Sequence, residues 1–332
     1  MAFKKNNLLL RICTGLVYIA IIVVFFLLRN ISENGQYNSI FNILIYIFMI
    51  LSTYEMLQTF SRKKLDEFGR EIPSPSRLAN SQKVCIYTYV ICFIPIFYLS
   101  EYVFWHGKNF GYRGLLISSF FLVIMLLCLL VIDYKRVNLQ NTGAAYLCSI
   151  YPTILFATIL MANTYLPQQS SNLALILIFT ISPVVDTFAY ICGSLLKGKK
   201  LAPSLSPNKT VSGAIGGLIF GILACIFCYW IFVQYFGYEY KGINSRFAFT
   251  PWVLITLIGI GGSIMVQFGD LVESTIKRHL GVKDMSNILP GHGGILDRLD
   301  GTVFASAYIY IMFSVFFDPN LLNLIMASVH RV

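Results

Sequence analysis

The chain alternates between long apolar stretches and shorter polar connections along most of its length. Each apolar stretch is long enough, or nearly so, to cross a hydrocarbon core of about 30 Å as a helix that rises about 1.5 Å per residue. The pattern therefore predicts an all-α, polytopic integral membrane protein with about nine transmembrane helices. The predicted spans lie near residues 12–28, 40–60, 84–100, 114–132, 144–163, 172–193, 211–236, 250–272 and 302–317.

Basic residues are divided unevenly between the connections on the two sides of these spans. If the N-terminus is cytoplasmic, most of the 25 lysines and arginines fall on the cytoplasmic side, as the positive-inside rule describes. We therefore predict a cytoplasmic N-terminus. Because no organelle targeting signal is visible, we expect a multi-pass protein of the cell (inner) membrane.

Composition excludes a water-soluble protein. Hydrophobic residues make up 57% of the chain and charged residues only 12%, whereas soluble domains carry about 25% charge. The net charge of +10 is explained by cytoplasmic loops that face anionic lipid, so we expect no nucleic-acid partner. The eight cysteines all fall in apolar runs, which favours small core residues over disulfides.

The most informative polar stretch begins at Gly269 and ends at Gly301, where an apolar run meets water. If the end of the apolar run and the start of this stretch form one helix, its polar residues lie within about 140° of one another and form one stripe. The stripe consists of Ser263, Gln267, Asp270, Glu273, Ser274, Lys277 and Arg278. A glycine-rich turn follows and leads to Asp297 and Asp300. Carboxylates and cations together at a membrane edge suit phosphate chemistry on a metal ion.

A second polar set surrounds the end of the sixth span. Asp186 lies inside an apolar run, where a charge is costly, so it either lines a polar cavity or bonds to a neighbouring helix. The following loop contains Lys197, Lys199, Lys200 and Lys209 together with two prolines. It offers a rigid basic surface for a triphosphate, although a topology signal alone would also place lysines here.

Three further features complete the pattern. Glu55 lies one turn from the cytoplasmic end of its span, and we expect its side chain to reach toward Arg62. Residues 61–83 mix charges with prolines and are predicted to be a solvated connector. Gly213, Gly217 and Gly221 recur every four residues, which predicts a packing face for a neighbouring helix.

The polar stretch resembles the signature of the phosphatidate cytidylyltransferase family, the CDP-diacylglycerol synthases. All positions of the family pattern are retained: Ser274, Lys277, Arg278, Lys283, Asp284, His292, Gly293, Gly294, Asp297, Arg298 and Asp300. A similar upstream family segment is matched by Asp186, Ala189, Tyr190, Lys200 to Pro203, Ser206, Pro207, Lys209 and Thr210. The chain departs from that segment at Phe188, Val211 and Ser212. The first 150 residues resemble the family only in hydropathy.

The resemblance implies transfer of the cytidylyl group of CTP to phosphatidic acid, which yields CDP-diacylglycerol and pyrophosphate at the cytoplasmic face. It implies Mg2+ as cofactor, with a second cation left open, and Asp270 and Asp297 as the metal ligands. The implied catalytic residues are Asp270, Lys277, Arg278, Asp297 and Asp300. The implied substrate-binding residues are Asp186, Lys200, Ser206, Lys209, Ser274, Lys283, Asp284, His292, Gly293, Gly294 and Arg298.

Several points stay open at this stage. His292 could act as a general base or through hydrogen bonds alone, and a homodimer is neither required nor excluded. We expect residues 166–332 to form the catalytic region, whereas residues 1–165, with about five spans, have no assigned role. A CTP-dependent lipid kinase would use a similar site but transfer the γ-phosphoryl group. An ion-coupled transporter would explain the acidic residues inside the spans but not the dense cytoplasmic polar set.

Overall fold

The computed structural model describes residues 2–31, 38–62, 64–65, 71–72, 76–100, 111–240, 249–289 and 293–317, with side chains in the first helix described from Thr14 onward. Within these ranges the chain forms nine α-helices and four short strands. The helices are α1 (Ala2–Arg29), α2 (Asn38–Ser61), α3 (Asn80–Leu99), α4 (Gly111–Ile132), α5 (Leu139–Thr164), α6 (Gln168–Leu196), α7 (Val211–Phe236), α8 (Thr250–Leu280) and α9 (Leu296–Phe316).

Each predicted span coincides with one of these helices. Within the described residues, eight helices, α2 to α9, are long and apolar enough to cross a membrane. The apolar part of α1, Thr14–Arg29, is shorter. The prediction of a multi-pass, helical membrane protein is thus supported, with eight spans by length and composition. The cytoplasmic position of the N-terminus stays a prediction.

Several helices begin before their apolar runs because polar residues close the first turn. At the start of α5, the amide oxygens of Asn138 and Asn141 each accept the backbone N–H of the other residue, both at 2.8 Å. At the start of α3, Gln82 accepts the N–H of Ala79 at 3.0 Å. The bonds at α5 are reciprocal and the bond at α3 runs one way, and both satisfy N–H groups that have no partner within a helix.

Contacts divide the chain into two compact units. The first unit comprises Met1–Leu27, Ile43–Phe156 and Leu280–Asp297. Its core includes Met56, Ile86, Phe93, Phe97 and Leu126, all of which are fully buried. The second unit comprises Leu28–Asn42, Ala157–His279 and Arg298–Val332. The functional division predicted near residue 165 is a separate matter and stays a prediction.

In the second unit, α6 and α7 pack closely through glycines of α7. A Cβ atom at Gly213 would lie 2.5 Å from the carbonyl oxygen of Ala189, and one at Gly217 would lie 2.9 Å from that of Val185. A Cβ atom at Gly221 would also collide with Val185. The predicted packing face is therefore confirmed, and it brings the backbone of α7 against α6 where the polar set begins.

Two connections contain short hairpins that the all-α expectation lacks. Strand β1 (Lys64–Leu65) pairs antiparallel with β2 (Glu71–Ile72), within the segment predicted to be a solvated connector. Strand β3 (Lys200–Ala202) pairs with β4 (Ser206–Thr210), with Lys200 opposite Thr210 and Ala202 opposite Ser206. These strands are too short to show a two-residue hydrophobic alternation, so the sequence pattern did not indicate them.

Candidate active site

A cavity of about 730 Å³ lies in the second unit. Its wall is formed by the end of α6, the β3–β4 hairpin, the start of α7 and the middle of α8. Four predicted site residues from four different elements line it: Asp186, Lys200, Lys209 and Asp270. Other lining residues include Tyr190, Gly193, Lys197, Asn208, Thr210, Gly213 and Gln267.

The basic wall of the cavity is built by the way α6 ends and α7 begins. Lys197 terminates α6 in a left-handed conformation with φ of 44°. The hairpin then returns the chain to α7, where the N–H of Val211 donates to the carbonyl oxygen of Lys199 at 2.8 Å. Thr210 caps α7 by accepting the N–H of Gly213 at 3.1 Å. This geometry places three lysine side chains on one cavity.

Of the three residues that differ from the family segment, Ser212 and Phe188 each contact a neighbouring element. The hydroxyl oxygen of Ser212 accepts the N–H of Gly198 at 3.2 Å and so ties the lysine loop to α7. The Phe188 ring stacks on Phe220 of α7 with centroids 3.7 Å apart. Val211 is exposed, and nothing in the structure explains its replacement.

Asp270 faces the lysines from α8. Its carboxylate forms an ion pair with Lys209, and both side chains are partly exposed. The hydroxyl of Ser274, one turn further along α8, donates to Asp270 Oδ1 at 3.2 Å. A predicted metal ligand and a predicted phosphate-binding lysine are therefore direct partners.

The next turn of α8 holds a buried pair. Lys277 Nζ lies 2.9 Å from Glu273 Oε2, and the Glu273 side chain is only 1% exposed. Glu273 lies on the predicted polar stripe but is not among the predicted site residues; its place on that stripe is the only signal that could have indicated it. Lys277, which the family resemblance implies to be catalytic, is held by this carboxylate. Arg278 instead turns to the hairpin, where its Nε donates to the Leu205 carbonyl oxygen at 3.3 Å.

Three aspartates of the second unit lie within electrostatic range of one another. Asp186 interacts with Asp270 and Asp300, and Asp300 also interacts with Asp270. Asp300 is buried and accepts the N–H of Gly301 at 2.6 Å. Lys209 and Arg298 oppose this negative charge at Asp186. Clustered carboxylates repel one another unless cations lie between them, so the donor chemistry fits a divalent cation.

No three acidic, histidine or cysteine side chains converge on one point in the part of the chain that the structure describes. An Mg2+ site does not need three such groups, since Mg2+ takes one or two protein carboxylates and completes its octahedron with phosphate oxygens and water, and Mg2+ stays a prediction. Asp270 belongs to the second unit and Asp297 to the first. Their predicted sharing of one metal ion stays a prediction.

In the first unit, Asp297 organises the turn that precedes α9. Its Oδ2 accepts the N–H of Gly294 at 2.8 Å and that of Met285 at 3.0 Å. The turn closes where Leu289 and Gly293 exchange backbone hydrogen bonds of 2.9 and 3.1 Å. Lys283 and Asp284 are exposed on the same segment. His292 lies outside the described residues, so its role stays open.

The expectation that Glu55 reaches toward Arg62 is wrong. Glu55 is fully buried, and its Oε1 accepts the hydroxyl of Ser286 at 2.6 Å and the N–H of Ile295 at 2.8 Å. Arg62 instead donates to the Met285 carbonyl oxygen at 3.0 Å. A buried carboxyl group needs hydrogen-bond donors, and here the segment before α9 supplies them.

The remaining predicted site residues lie close to these groups in the chain. Ser206 is half-buried in β4, and Arg298 is exposed in the first turn of α9. Ser274 contacts Asp270, as described above.

The chain is similar in sequence to a known protein family. The sequence model of the cytidylyltransferase family matches residues 9–316. The match therefore includes the N-terminal helices, for which the sequence indicated only a likeness in hydropathy.

The chain is also similar in sequence to individual proteins named phosphatidate cytidylyltransferase. The chain is 32% identical over 221 residues to a phosphatidate cytidylyltransferase of Bacillus subtilis (strain 168), covering 65% of this chain and 74% of that protein. It is 37% identical over 206 residues to the phosphatidate cytidylyltransferase of Staphylococcus haemolyticus (strain JCSC1435), covering 62% and 70%. With that of Brucella abortus (strain 2308), 37% identity extends over 154 residues, 46% of this chain and 52% of the relative. The chain belongs to the cytidylyltransferase family.

Proposed function

We propose that this protein is a phosphatidate cytidylyltransferase, which converts CTP and phosphatidic acid into CDP-diacylglycerol and pyrophosphate. The observation that carries the proposal is the cavity of the second unit, where Lys197, Lys200 and Lys209 face Asp270. Three cations opposite a carboxylate suit a metal-bound triphosphate. The family membership and the names of the relatives support the same reaction.

The reaction joins two anions, so the enzyme must neutralise their charge and hold them in line. An oxygen of the phosphatidate phosphate forms a bond to the α-phosphorus of CTP. The bond from that phosphorus to the oxygen bridging to the β-phosphorus breaks, and pyrophosphate leaves. The cavity lysines neutralise the triphosphate and stabilise the charge that accumulates on the leaving group.

The acidic residues supply the other half of the charge balance. Mg2+, held by Asp270 and Asp297, would neutralise phosphate oxygens of CTP. Ser274 orients the Asp270 carboxylate through its hydrogen bond. Glu273 holds the Lys277 ammonium group in place by an ion pair, and this cation interacts with Asp300. A phosphate monoester is already ionised near neutral pH, so the nucleophile requires no general base.

We further propose that the cavity opens to the cytoplasm and that the protein lies in the cell membrane. CTP is a cytoplasmic nucleotide, and the excess of basic residues on one side supports this orientation. Phosphatidate presents its phosphate at the headgroup plane, so the reacting phosphorus must lie at that level. A homodimer is compatible with the proposal but not required by it.

Labelled CTP tests the proposal. Purified protein in vesicles that contain phosphatidate is supplied with CTP labelled at the α-phosphorus in one reaction and at the γ-phosphorus in another. We expect the α-label to enter lipid and the γ-label to leave as pyrophosphate. Entry of the γ-label into lipid would identify a lipid kinase, and the absence of both labels from lipid would overturn the enzyme assignment.

A further inference from the structure

Glu55 of α2 lies in a region for which the reaction itself suggests no role. Both of its carboxyl oxygens act as acceptors, since Oε2 also accepts the N–H of Leu296 at 2.9 Å. The side chain thus binds three donors at full burial, separated from it by more than 200 residues of sequence. A buried carboxyl group is costly unless it is bonded in this way.

Two of these donors are the backbone N–H groups that open α9. Ile295 precedes the helix, and Leu296 is its first residue. The first N–H groups of a helix have no partner within it, and a carboxylate at this end also interacts favourably with the helix dipole. Glu55 therefore caps α9 from another helix, and Asp297 follows the capped residues directly.

The close approach of Glu55 requires a glycine. A Cβ atom at Gly294 would lie 2.7–2.8 Å from the carboxyl atoms of Glu55. Any side chain at this position would displace the glutamate or the turn. This contact gives one physical reason for the second glycine of the Gly293–Gly294 pair.

The same face of α2 also holds the other end of the turn. Thr59 Oγ1 and Arg62 donate to the carbonyl oxygen of Met285 at 2.9 and 3.0 Å. The N–H of Met285 in turn donates to Asp297. Glu55 and Thr59 are four residues apart and so lie on one side of α2, and Arg62 directly follows the helix. The turn is therefore fixed at both ends by α2, and Asp297 links the two ends.

We infer that Glu55 is a positioning residue for the transfer reaction, because it fixes the start of α9 and so the direction of the Asp297 carboxylate. The inference rests on the proposed function and gives the N-terminal helices a part in it. Glu55 lies outside the cavity that would bind CTP, so its loss should affect turnover more than CTP binding.

The test uses Glu55→Gln, which keeps the shape but replaces one acceptor oxygen by an NH2 group facing N–H donors. We expect kcat to fall at least tenfold while the KM for CTP changes less than threefold. Backbone hydrogen exchange should speed up at Ile295 and Leu296 but not in α6 or α7. Thr53→Ala is the matched control, because Thr53 is buried on the same helix and donates to the Met49 carbonyl oxygen of that helix.

Ser286→Ala provides a second variant that removes one donor and leaves Glu55 in place. It should lower kcat by a smaller factor and again leave the KM for CTP nearly unchanged. If Glu55→Gln does not fold, this variant provides the test. The inference is overturned if Glu55→Gln, or Ser286→Ala where Glu55→Gln does not fold, has the same kcat as the control Thr53→Ala. It is also overturned if kcat falls and the KM for CTP rises by similar factors while backbone hydrogen exchange becomes faster throughout the protein. Wild-type protein that transfers no cytidylyl group would contradict the proposed function instead, and exchange at Ile295 and Leu296 would still test the cap.

Discussion

At the scale of single residues, the ion pair between Lys209 and Asp270 links the two charged sides of the cavity. A partly exposed ion pair contributes only about 0–1 kcal/mol. Breaking this pair therefore costs little free energy. Lys209 could then bind a phosphate group, which would leave Asp270 free to bind a cation. The pair cancels one charge of each sign in the cavity, and under the proposed function a metal-bound nucleotide would take over both interactions.

Lys209→Met tests this exchange, because it keeps the aliphatic stem and removes the charge. We expect the KM for CTP to rise about tenfold, about 1.4 kcal/mol of lost binding. The Mg2+ concentration for half-maximal activity should not rise, because no lysine competes for Asp270. Steady-state kinetics at varied CTP and Mg2+ measure both, and Lys135→Met, in an exposed turn, is the control. An unchanged KM for CTP would argue against a phosphate contact at Lys209.

Asp270→Asn keeps the size of the side chain but removes its charge. We expect turnover to fall more than tenfold, at least about 1.4 kcal/mol of transition-state stabilisation, with normal membrane insertion. Radiolabelled product formation per milligram of inserted protein measures the loss. Asp133→Asn, in a turn after α4, should retain full activity. If Asp270→Asn keeps more than about a tenth of the activity, Asp270 is not a direct ligand of the metal.

Many of the site residues could be predicted from the sequence, and there is a physical reason why the others could not. Asp186, Lys200, Lys209 and Asp270 belong to motifs, and the structure brings these four to one cavity. Glu55 could not be assigned, because its partners are distant in sequence and include backbone N–H groups, which leave no mark in a residue pattern. The ion pair between Lys277 and Glu273 could be predicted from their four-residue spacing in a helix. The burial of the Glu273 side chain could not.

At the scale of elements, the contact between α6 and α7 sets the position of the cavity wall. Helix periods and apolar length predicted both helices to within a few residues. The β3–β4 hairpin escaped prediction because local backbone pairing between Lys200 and Thr210 creates it, not a hydrophobic pattern. The glycine spacing did predict the close packing of α7.

Gly217→Ala tests the packing at a position that does not line the cavity. The added Cβ would lie 2.9 Å from a backbone oxygen of α6, and a carbonyl oxygen can move away only if the helices separate. We expect a lower midpoint of thermal unfolding in detergent and reduced activity. Gly143→Ala in α5, where a Cβ would meet nothing within 4 Å, should be neutral or stabilise by up to about 1 kcal/mol. Equal midpoints for the two variants would refute the packing argument.

At the scale of the whole molecule, the distribution of basic residues predicts the orientation in the membrane. α6 connects two testable positions, since Gln169 is exposed in its first turn and Ser204 is exposed in the hairpin that follows it. Ser286 is unsuitable as a reporter because it is buried.

On a cysteine-free background, Gln169→Cys should react with an impermeant thiol reagent in intact cells. Ser204→Cys should react only after the cytoplasmic face is opened, because the hairpin is predicted to be cytoplasmic. Mass-shift labelling on gels measures both. Reaction of Ser204→Cys from outside intact cells would reverse the orientation and remove the supply of CTP to the cavity.

The central claim is that the cavity of the second unit binds the triphosphate of CTP. Amine-reactive labelling followed by peptide mass spectrometry tests it most directly, with active protein in vesicles, with and without CTP and Mg2+. We predict that CTP protects Lys197, Lys200 and Lys209 and leaves Lys135 equally reactive. Unchanged reactivity of all three cavity lysines at CTP concentrations that saturate turnover would contradict the claim.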